Sequence, residues 1–286
     1  MPVYPLDHHL ATSVPRSRAQ QLWTPQAGPM PAIYLGHGAP PLLEDELWMS
    51  QLFDWAIGMP KPTGILIVSA HWERAPLSLS STAAGTPLVY DFGGFAQRYY
   101  RMTYPTPDAT AVADLTSALM PDGKPVHRHS SRGLDHGAWV PLMVMYPLGD
   151  VPVVQLSLPT ANPDHLMRIG AGLRELRSQG VLIIGSGFLT HGLPYLSAKH
   201  FTGRGAPPGW SVEFDNWAAE ALSQGDVDEL AAFRDRAPGM PYAHPTVEHF
   251  SPLFVTLGAA TDPGTAPATV IDGFGFGLSK RSIQAA

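Results

Sequence analysis

The 286-residue chain contains no cysteine. That absence excludes a disulfide scaffold, a thiolate metal site and a cysteine nucleophile together. A bound metal would have to be held by His, Asp or Glu or by carbonyl oxygens, which favours iron, manganese, zinc or a similar ion. Charge is also scarce: Asp, Glu, Lys and Arg make up 15% of the residues and the formal charge is −6. With no basic block, a nucleic-acid partner is not expected. Apolar runs long enough to span a bilayer are missing, and the start MPVYPLDHHLATSVPRSRAQ lacks the apolar stretch of a secretory signal. The expectation is a cytoplasmic protein with no membrane partner. Missing too are a G-x-G-x-x-G or Walker loop between strand and helix, a G-x-S-x-G elbow and an H-E-x-x-H helix. Nucleotide chemistry, serine hydrolysis and zinc proteolysis recede accordingly.

What is plentiful is proline and glycine, 30 and 28 residues, together with a hydrophobic fraction of 44%. The length and apolar content allow a sizeable core. The turn formers imply short elements joined by ordered loops that can carry a site. Residues 1–30 lack periodicity and read as an irregular N-terminal extension; residues 31–286 read as one domain. Apolar runs at Ala32–Leu35, Gly64–Ala70, Val151–Leu158 and Val181–Gly185 look like strands buried on both faces. Helical spacing marks Glu44–Ile57, Ala109–Leu119, Pro163–Ser178, Trp210–Ser223, Val227–Arg234 and His249–Ala259. The closing strands are expected at Ala268–Asp272 and Phe276–Ser279, and the stretch 203–210 reads as a loop or flap. This alternation predicts an α/β fold: a single domain with a central, mostly parallel or mixed sheet flanked by helices.

Three of the strand-like runs end in histidine-bearing loops: Gly36-His37-Gly38, Ala70-His71 and Gly185 to Gly192 with His191. Ligands of open α/β sheets collect beyond the carboxyl ends of the strands. Parallel strands would therefore bring His37, His71 and His191 to one rim. Each alone reads more readily as a surface histidine; three at equivalent strand ends favour a shared site. On a helix from about residue 247, His249 would share a face with Leu253 and Leu257, with Glu248 rotated away. That leaves His249 open between a core histidine and a ligand. His136, in Asp135-His136-Gly137, is either a turn before a helix or a donor over a substrate. His8, His9, His127, His129, His165 and His200 read as solvated, and His244 as a loop histidine.

At these residues the sequence resembles the class III extradiol ring-cleavage dioxygenases, the LigB superfamily, and within it the 4,5-DOPA dioxygenase extradiol-like branch. The matching segments are LGHGAP (35–40), VSAHWE (68–73), YDFGGF (90–95), LDHGAWVPL (134–142), VPVVQLSL (151–158), GSGFLTHGL (185–193) and PTVEHFSPL (245–253). The resemblance implies His37, His71 and His249 as metal ligands, His191 as a fourth ligand or a base, and His136 as a residue contacting substrate. Better-known ring cleavers of the superfamily use a glutamate as third ligand, so Glu248 stands beside His249 as the alternative. The implied cofactor is one divalent metal ion, Fe(II) for turnover, with Zn(II) also compatible with such donors.

The implied reaction opens a catechol-type ring, DOPA-like or a related phenol, with O2 to a semialdehyde. The partners are then a small aromatic diol and O2, and a homo-oligomer is allowed. Trp72, Phe92, Phe95, Phe188 and Trp139 are candidates for the substrate wall, although aromatic residues beside strands are more often core. Two other classes use the same histidines. A zinc metallohydrolase would activate water, and a non-enzymatic relative would bind a metal or partner without turnover.

Overall fold

A computed structural model describes residues 4–120, 126–203 and 205–286. The chain begins with α1 (Pro5–Arg18), β1 (Ala32–Gly36), α2 (Glu46–Ile57), β2 (Gly64–Glu73), β3 (Ser78–Leu79), α3 (Thr110–Ala118) and β4 (His127–Arg128). It continues through α4 (His136–Met145), β5 (Val153–Leu158), α5 (Pro163–Leu173), β6 (Val181–Gly187), α6 (Ala198–Phe201) and α7 (Gly209–Gln224). The last elements are α8 (Val227–Ala231), α9 (Phe233–Arg236), α10 (Pro252–Ala259), β7 (Ala268–Ile271), β8 (Phe274–Gly275), β9 (Leu278–Ser279) and β10 (Ser282–Ala285).

Eight strands form one mixed sheet in the order β4-β3-β5-β2-β6-β1-β10-β7. Its centre, β5-β2-β6-β1, is parallel, while β10 runs antiparallel to β1 and β7 to β10. The fold is thus the α/β architecture expected from the alternation of apolar runs. Strand parity divides the core in two. Ala32, Tyr34, Leu66, Val68 and Ile183 face the layer containing α3, α5, α7 and α10. Ile33, Leu35, Ile65, Ile67 and Ile184 face α2 and α4. Burial on both faces explains why these strands read as unbroken apolar runs rather than alternating ones.

Four expectations need correction. The stretch read as irregular contains α1, whose buried stripe is His9, Ser13 and Ser17. Those residues sit at i, i+4 and i+8, but all are polar, so no hydrophobic period was visible. His9 is therefore not solvated: it packs edge-on to Phe53 of α2, and Arg16 pairs with Asp54 at 2.9 Å. The final helix begins at Pro252, so His249 lies in the turn before it. The helix of residues 163–178 is α-helical only to Leu173 and tightens into a 3-10 segment over Arg174–Gln179. Finally, β10 was not anticipated; its short Ser-Ile-Gln-Ala stretch carries little pattern. Of the 203–210 stretch, residue 204 lies outside the described residues, and helix α7 already starts at Gly209.

Helix α10 carries the turn with His249, and glycines set how closely it approaches its neighbours. A Cβ on Gly170 of α5 would meet Val255 O at 2.2 Å and Ala259 N at 2.8 Å. A Cβ on Gly258 would meet Met167 O at 2.2 Å. The obstacles are backbone atoms, which cannot rotate aside. Gly170→Ala should accordingly destabilise the fold by about 1–3 kcal/mol, the usual overpacking range, read as a lowered urea midpoint at unchanged slope.

Candidate metal centre and substrate pocket

Strand register builds the site. Leu35 of β1 and Ser69 of β2 both pair with Ser186 of β6, so the three residues lie level on the α4 side of the sheet. His37 and His71 each follow two residues later, at equivalent positions on strands separated by two spacings, about 9–10 Å. Their side chains lean towards each other over β6, which offers only Ser186 and Gly187 at that height. His37 Nε2 and His71 Nε2 come within 3.0 Å. The same parity sends Trp72 to the other face, where it packs against His129 at 5.5 Å and beneath Arg132 at 4.4 Å. Trp72 is therefore not a substrate-wall residue, and the alternation of a strand already implied as much.

His249 arrives from the opposite layer. A Cβ on Gly187 would lie 2.0 Å from His249 O, so glycine is needed for that carbonyl to approach. The carbonyl then accepts from the Tyr34 hydroxyl at 2.9 Å and from the Phe188 amide at 3.0 Å. Held there, His249 Nε2 lies 3.3 Å from His71 Nε2. Its buried position thus follows from a pinned carbonyl rather than from a helix face.

Hydrogen-bond partners fix the tautomers of His37, His249 and His136, and a carboxylate faces the same nitrogen of His71. Pro141 lies within α4 and has no N–H to offer Gly137 O, four residues earlier. The Ser186 hydroxyl donates to that carbonyl instead. Having spent its only proton, Ser186 Oγ must accept from His37 Nδ1–H, 3.0 Å away, which leaves Nε2 with a bare lone pair. His249 Nδ1 likewise donates to Glu248 Oε1 at 2.9 Å, and His71 Nδ1 faces Asp91 Oδ2 at 3.4 Å. Asp91 Oδ1 also accepts from His136 Nδ1 at 2.8 Å and from the His136 amide at 3.0 Å. Asp91 thereby places a carboxylate at the N-terminus of α4, where the helix dipole favours an anion.

Burial is the largest influence on these groups, and neighbouring histidines add to it. His37 and His249 are held well below the ordinary histidine pKa, while His71 and His191 fall to about 3. Burial alone would raise Asp91, but hydrogen bonding from His136 and the nearby imidazoles outweigh it and lower its carboxyl. At neutral pH His37, His71, His191 and His249 are therefore neutral, the state that ligates metals. Three lone pairs aimed at one another at 3.0 and 3.3 Å repel unless a cation lies between them. Metal–nitrogen bonds of roughly 2.1 Å give ligand separations of about 3.0 Å in an octahedron and about 3.4 Å in a tetrahedron. The donor set fits a divalent ion.

Two groups of potential ligands lie here, each with atoms mutually within 4.8 Å: His37, His71 and His136, and His191, Glu248 and His249. His191 stacks face to face on His249, with centroids 3.4 Å apart and planes inclined by 14°. Stacked in this way, the two rings hold their in-plane lone pairs in nearly parallel layers.

The five histidines open into a cavity of about 540 Å³ that also exposes Phe92, Phe95, Phe188, Leu193, Phe201 and Phe276. Phe92, Phe95 and Phe188 were anticipated from the sequence; Trp139 is core, fully buried beside Tyr90 and Phe92. His244 lies outside the cavity, buried against Phe214 and Phe250. Sequence reasoning missed Asp91, Ser186 and Phe276. Asp91 stood within the YDFGGF segment, but no strand end pointed to it. Phe276 has φ +55° and Gly277 φ +84°, the consecutive left-handed pair of a tight hairpin turn between β8 and β9. For phenylalanine that conformation costs about 1–2 kcal/mol.

The chain matches, over residues 36–272, the family described as the catalytic LigB subunit of aromatic ring-opening dioxygenase. It belongs to that family, within its extradiol dioxygenase branch. It is 39% identical over 244 residues to a 4,5-DOPA dioxygenase extradiol of Beta vulgaris, covering 82% of this chain and 88% of the relative. A protein of the same name from Escherichia coli K12 is 34% identical over 262 residues, covering 89% and 94%. The crystal structure of an uncharacterized protein from Escherichia coli K12 matches with a TM-score of 0.74 at 30% identity, covering 90% of this chain and 100% of that one. Members of the family are metal-dependent, which agrees with the buried histidine group. Among the described residues no helix is long and apolar enough to cross a membrane.

Because folding lowers the pKa values of His71, His191 and the buried His244 below the ordinary histidine value of 6.5, the unfolded chain takes up protons first as pH falls. The stabilisation is intact above about 6.5 and is lost as pH drops towards 3, where His71 and His191 also titrate in the fold. Several histidines act together, so urea unfolding of the metal-free protein should show stability falling by more than about 1.4 kcal/mol per pH unit below pH 6, the value for one proton. A flat profile would contradict the assignment. Ser186→Ala should weaken metal binding about 10–100-fold and destabilise the fold by about 1–3 kcal/mol through two orphaned groups. Adding Pro141→Ala should recover part of the stability, by giving Gly137 O an intrahelical donor, but not the metal affinity.

Proposed function

We propose that the protein is a non-haem metal-dependent extradiol dioxygenase that opens the ring of a catechol-type substrate with O2 to a semialdehyde. The observation that carries this reading is the convergence of three neutral imidazoles, His37, His71 and His249, each with Nδ1 engaged and Nε2 free. They leave one side open to an aromatic-lined cavity. Relatives named as 4,5-DOPA dioxygenases support the reaction class.

In this reading His37, His71 and His249 hold the ion. Fe(II), bound with positions left free, would supply adjacent sites for the two oxygens of a diol and for O2. His191 acts as the base that takes a proton from a substrate hydroxyl. Glu248 Oε1, 3.9 Å from His191 Nδ1, and the negative charge appearing on the substrate favour an imidazolium that burial alone disfavours. His136 keeps Nδ1 on Asp91, which frees Nε2 to contact the second hydroxyl. Phe92 and Phe188 flank the ring. In the overall reaction the ring carbon–carbon bond beside the diol breaks and both atoms of O2 enter the product, one in the aldehyde and one in the carboxylate.

The decisive experiment is anaerobic reconstitution with Fe(II), addition of catechols and admission of air. Oxygen uptake equal to the yellow product formed is the expected result. Hydrolysis by the zinc form with no oxygen uptake would move the protein to a metallohydrolase, and metal binding without any turnover would make it a binding protein. His37→Ala and His71→Ala should lose both metal and activity. His191→Ala should keep its metal while the rate falls about 10²–10⁴-fold. Loss of metal in that variant would instead make His191 a ligand.

A further inference from the structure

We infer that the substituent on the substrate ring is uncharged and apolar, so that the site takes alkyl- or aryl-substituted catechols in preference to carboxylated or amino-bearing ones. This rests on the dioxygenase reading and adds the substrate class. Among the described residues, the titratable groups that line the cavity are Asp91 and the five histidines, packed against one another. Both Asp91 oxygens are engaged, Oδ1 by His136 and Oδ2 by His71. Away from that cluster the described lining is Leu42, Phe95, Leu193, Phe201, Phe276 and Leu278. A cavity of about 540 Å³ is in the range for drug-sized ligands, with room beyond a bare diol ring. Whatever the ring carries would lie along this wall. An ionised group against these described residues would give up hydration without a charged partner among them, whereas an alkyl or aryl group gains from burial.

Two further observations point the same way. At the rim, Leu193 and Phe201 are 43% and 53% exposed, large apolar side chains left in water beside an opening. Phe276 occupies a left-handed position, φ +55°, that glycine or asparagine would adopt more readily. Strain retained on a ligand-facing wall marks a side chain kept for what it touches. The hairpin that presents it is tied down behind: Ser279 donates to Asp215, and Arg281 makes two bonds to the same carboxylate at 2.9 and 2.8 Å. Phe276 is thus a specificity-determining residue.

Calorimetric titration of the zinc-loaded and the metal-free protein with 4-tert-butylcatechol and with 3,4-dihydroxybenzoate tests this without ring cleavage. The diol contribution is common to both ligands and cancels. The tert-butyl compound should bind at least about tenfold tighter, and the iron form should show the same preference in kcat/KM. Equal or tighter binding of the carboxylate, or binding of neither ligand, overturns the inference. Failure of the iron form to consume oxygen with any catechol would instead remove the proposed reaction and leave the binding ratio to be read. Phe276→Gly relieves the left-handed strain, so its melting temperature should hold or rise while the preference shrinks at least about fivefold. Leu193→Arg should shift the preference towards the carboxylate. An unchanged ratio in both variants overturns the assignment of the wall.

Discussion

The site depends on a hydrogen bond that a helix does not make. Pro141 removes the donor that Gly137 O would find inside α4, and the Ser186 hydroxyl fills the gap. That donation fixes the direction of the serine proton and hence the tautomer of His37. A backbone defect one turn into a buried helix therefore determines which nitrogen of a candidate ligand faces the centre. Asp91 and Glu248 do the equivalent for His71 and His249 with carboxylates. In a nitrogen-rich centre without cysteine such partners matter, because the bond made by one ring nitrogen sets which tautomer presents the other to a metal.

Much of the architecture could be read from the amino-acid order because strands buried on both faces give continuous apolar runs. Three of them visibly ended in His37, His71 or the loop leading to His191. The parity that separates His71 from Trp72 was equally available. Other features were hidden for identifiable reasons. Helix α1 buries a polar stripe, so it has no hydrophobic period. Strand β10 is short and mixed. The inward position of His249 was expected from a helix that in fact starts at Pro252; the cause is a carbonyl received by Gly187, Tyr34 and Phe188. Asp91 belongs to a loop whose path is set by tertiary contacts, and no local pattern announces a loop carboxylate bridging two histidines.

The cavity joins two unlike environments. Its floor is a cluster of imidazoles, in four of which (His37, His71, His191 and His249) burial disfavours protonation, and its wall is phenylalanine and leucine. The first offers lone pairs to a cation or a proton, the second an apolar surface that favours groups leaving water readily. The His191–His249 stack fixes the two rings face to face, so the position of either is set by the other.

The five histidines are spread from residue 37 to residue 249, and each is delivered by a different segment. Contacts between such distant parts of a chain form late in folding, after the entropy of closing the intervening loops has been overcome. The three proposed ligands come from the ends of β1 and β2 and from the turn before α10, so loss of any one segment leaves the proposed set incomplete. Occupancy should therefore be all-or-none with respect to folding, so the centre doubles as a reporter of whether the whole domain has closed.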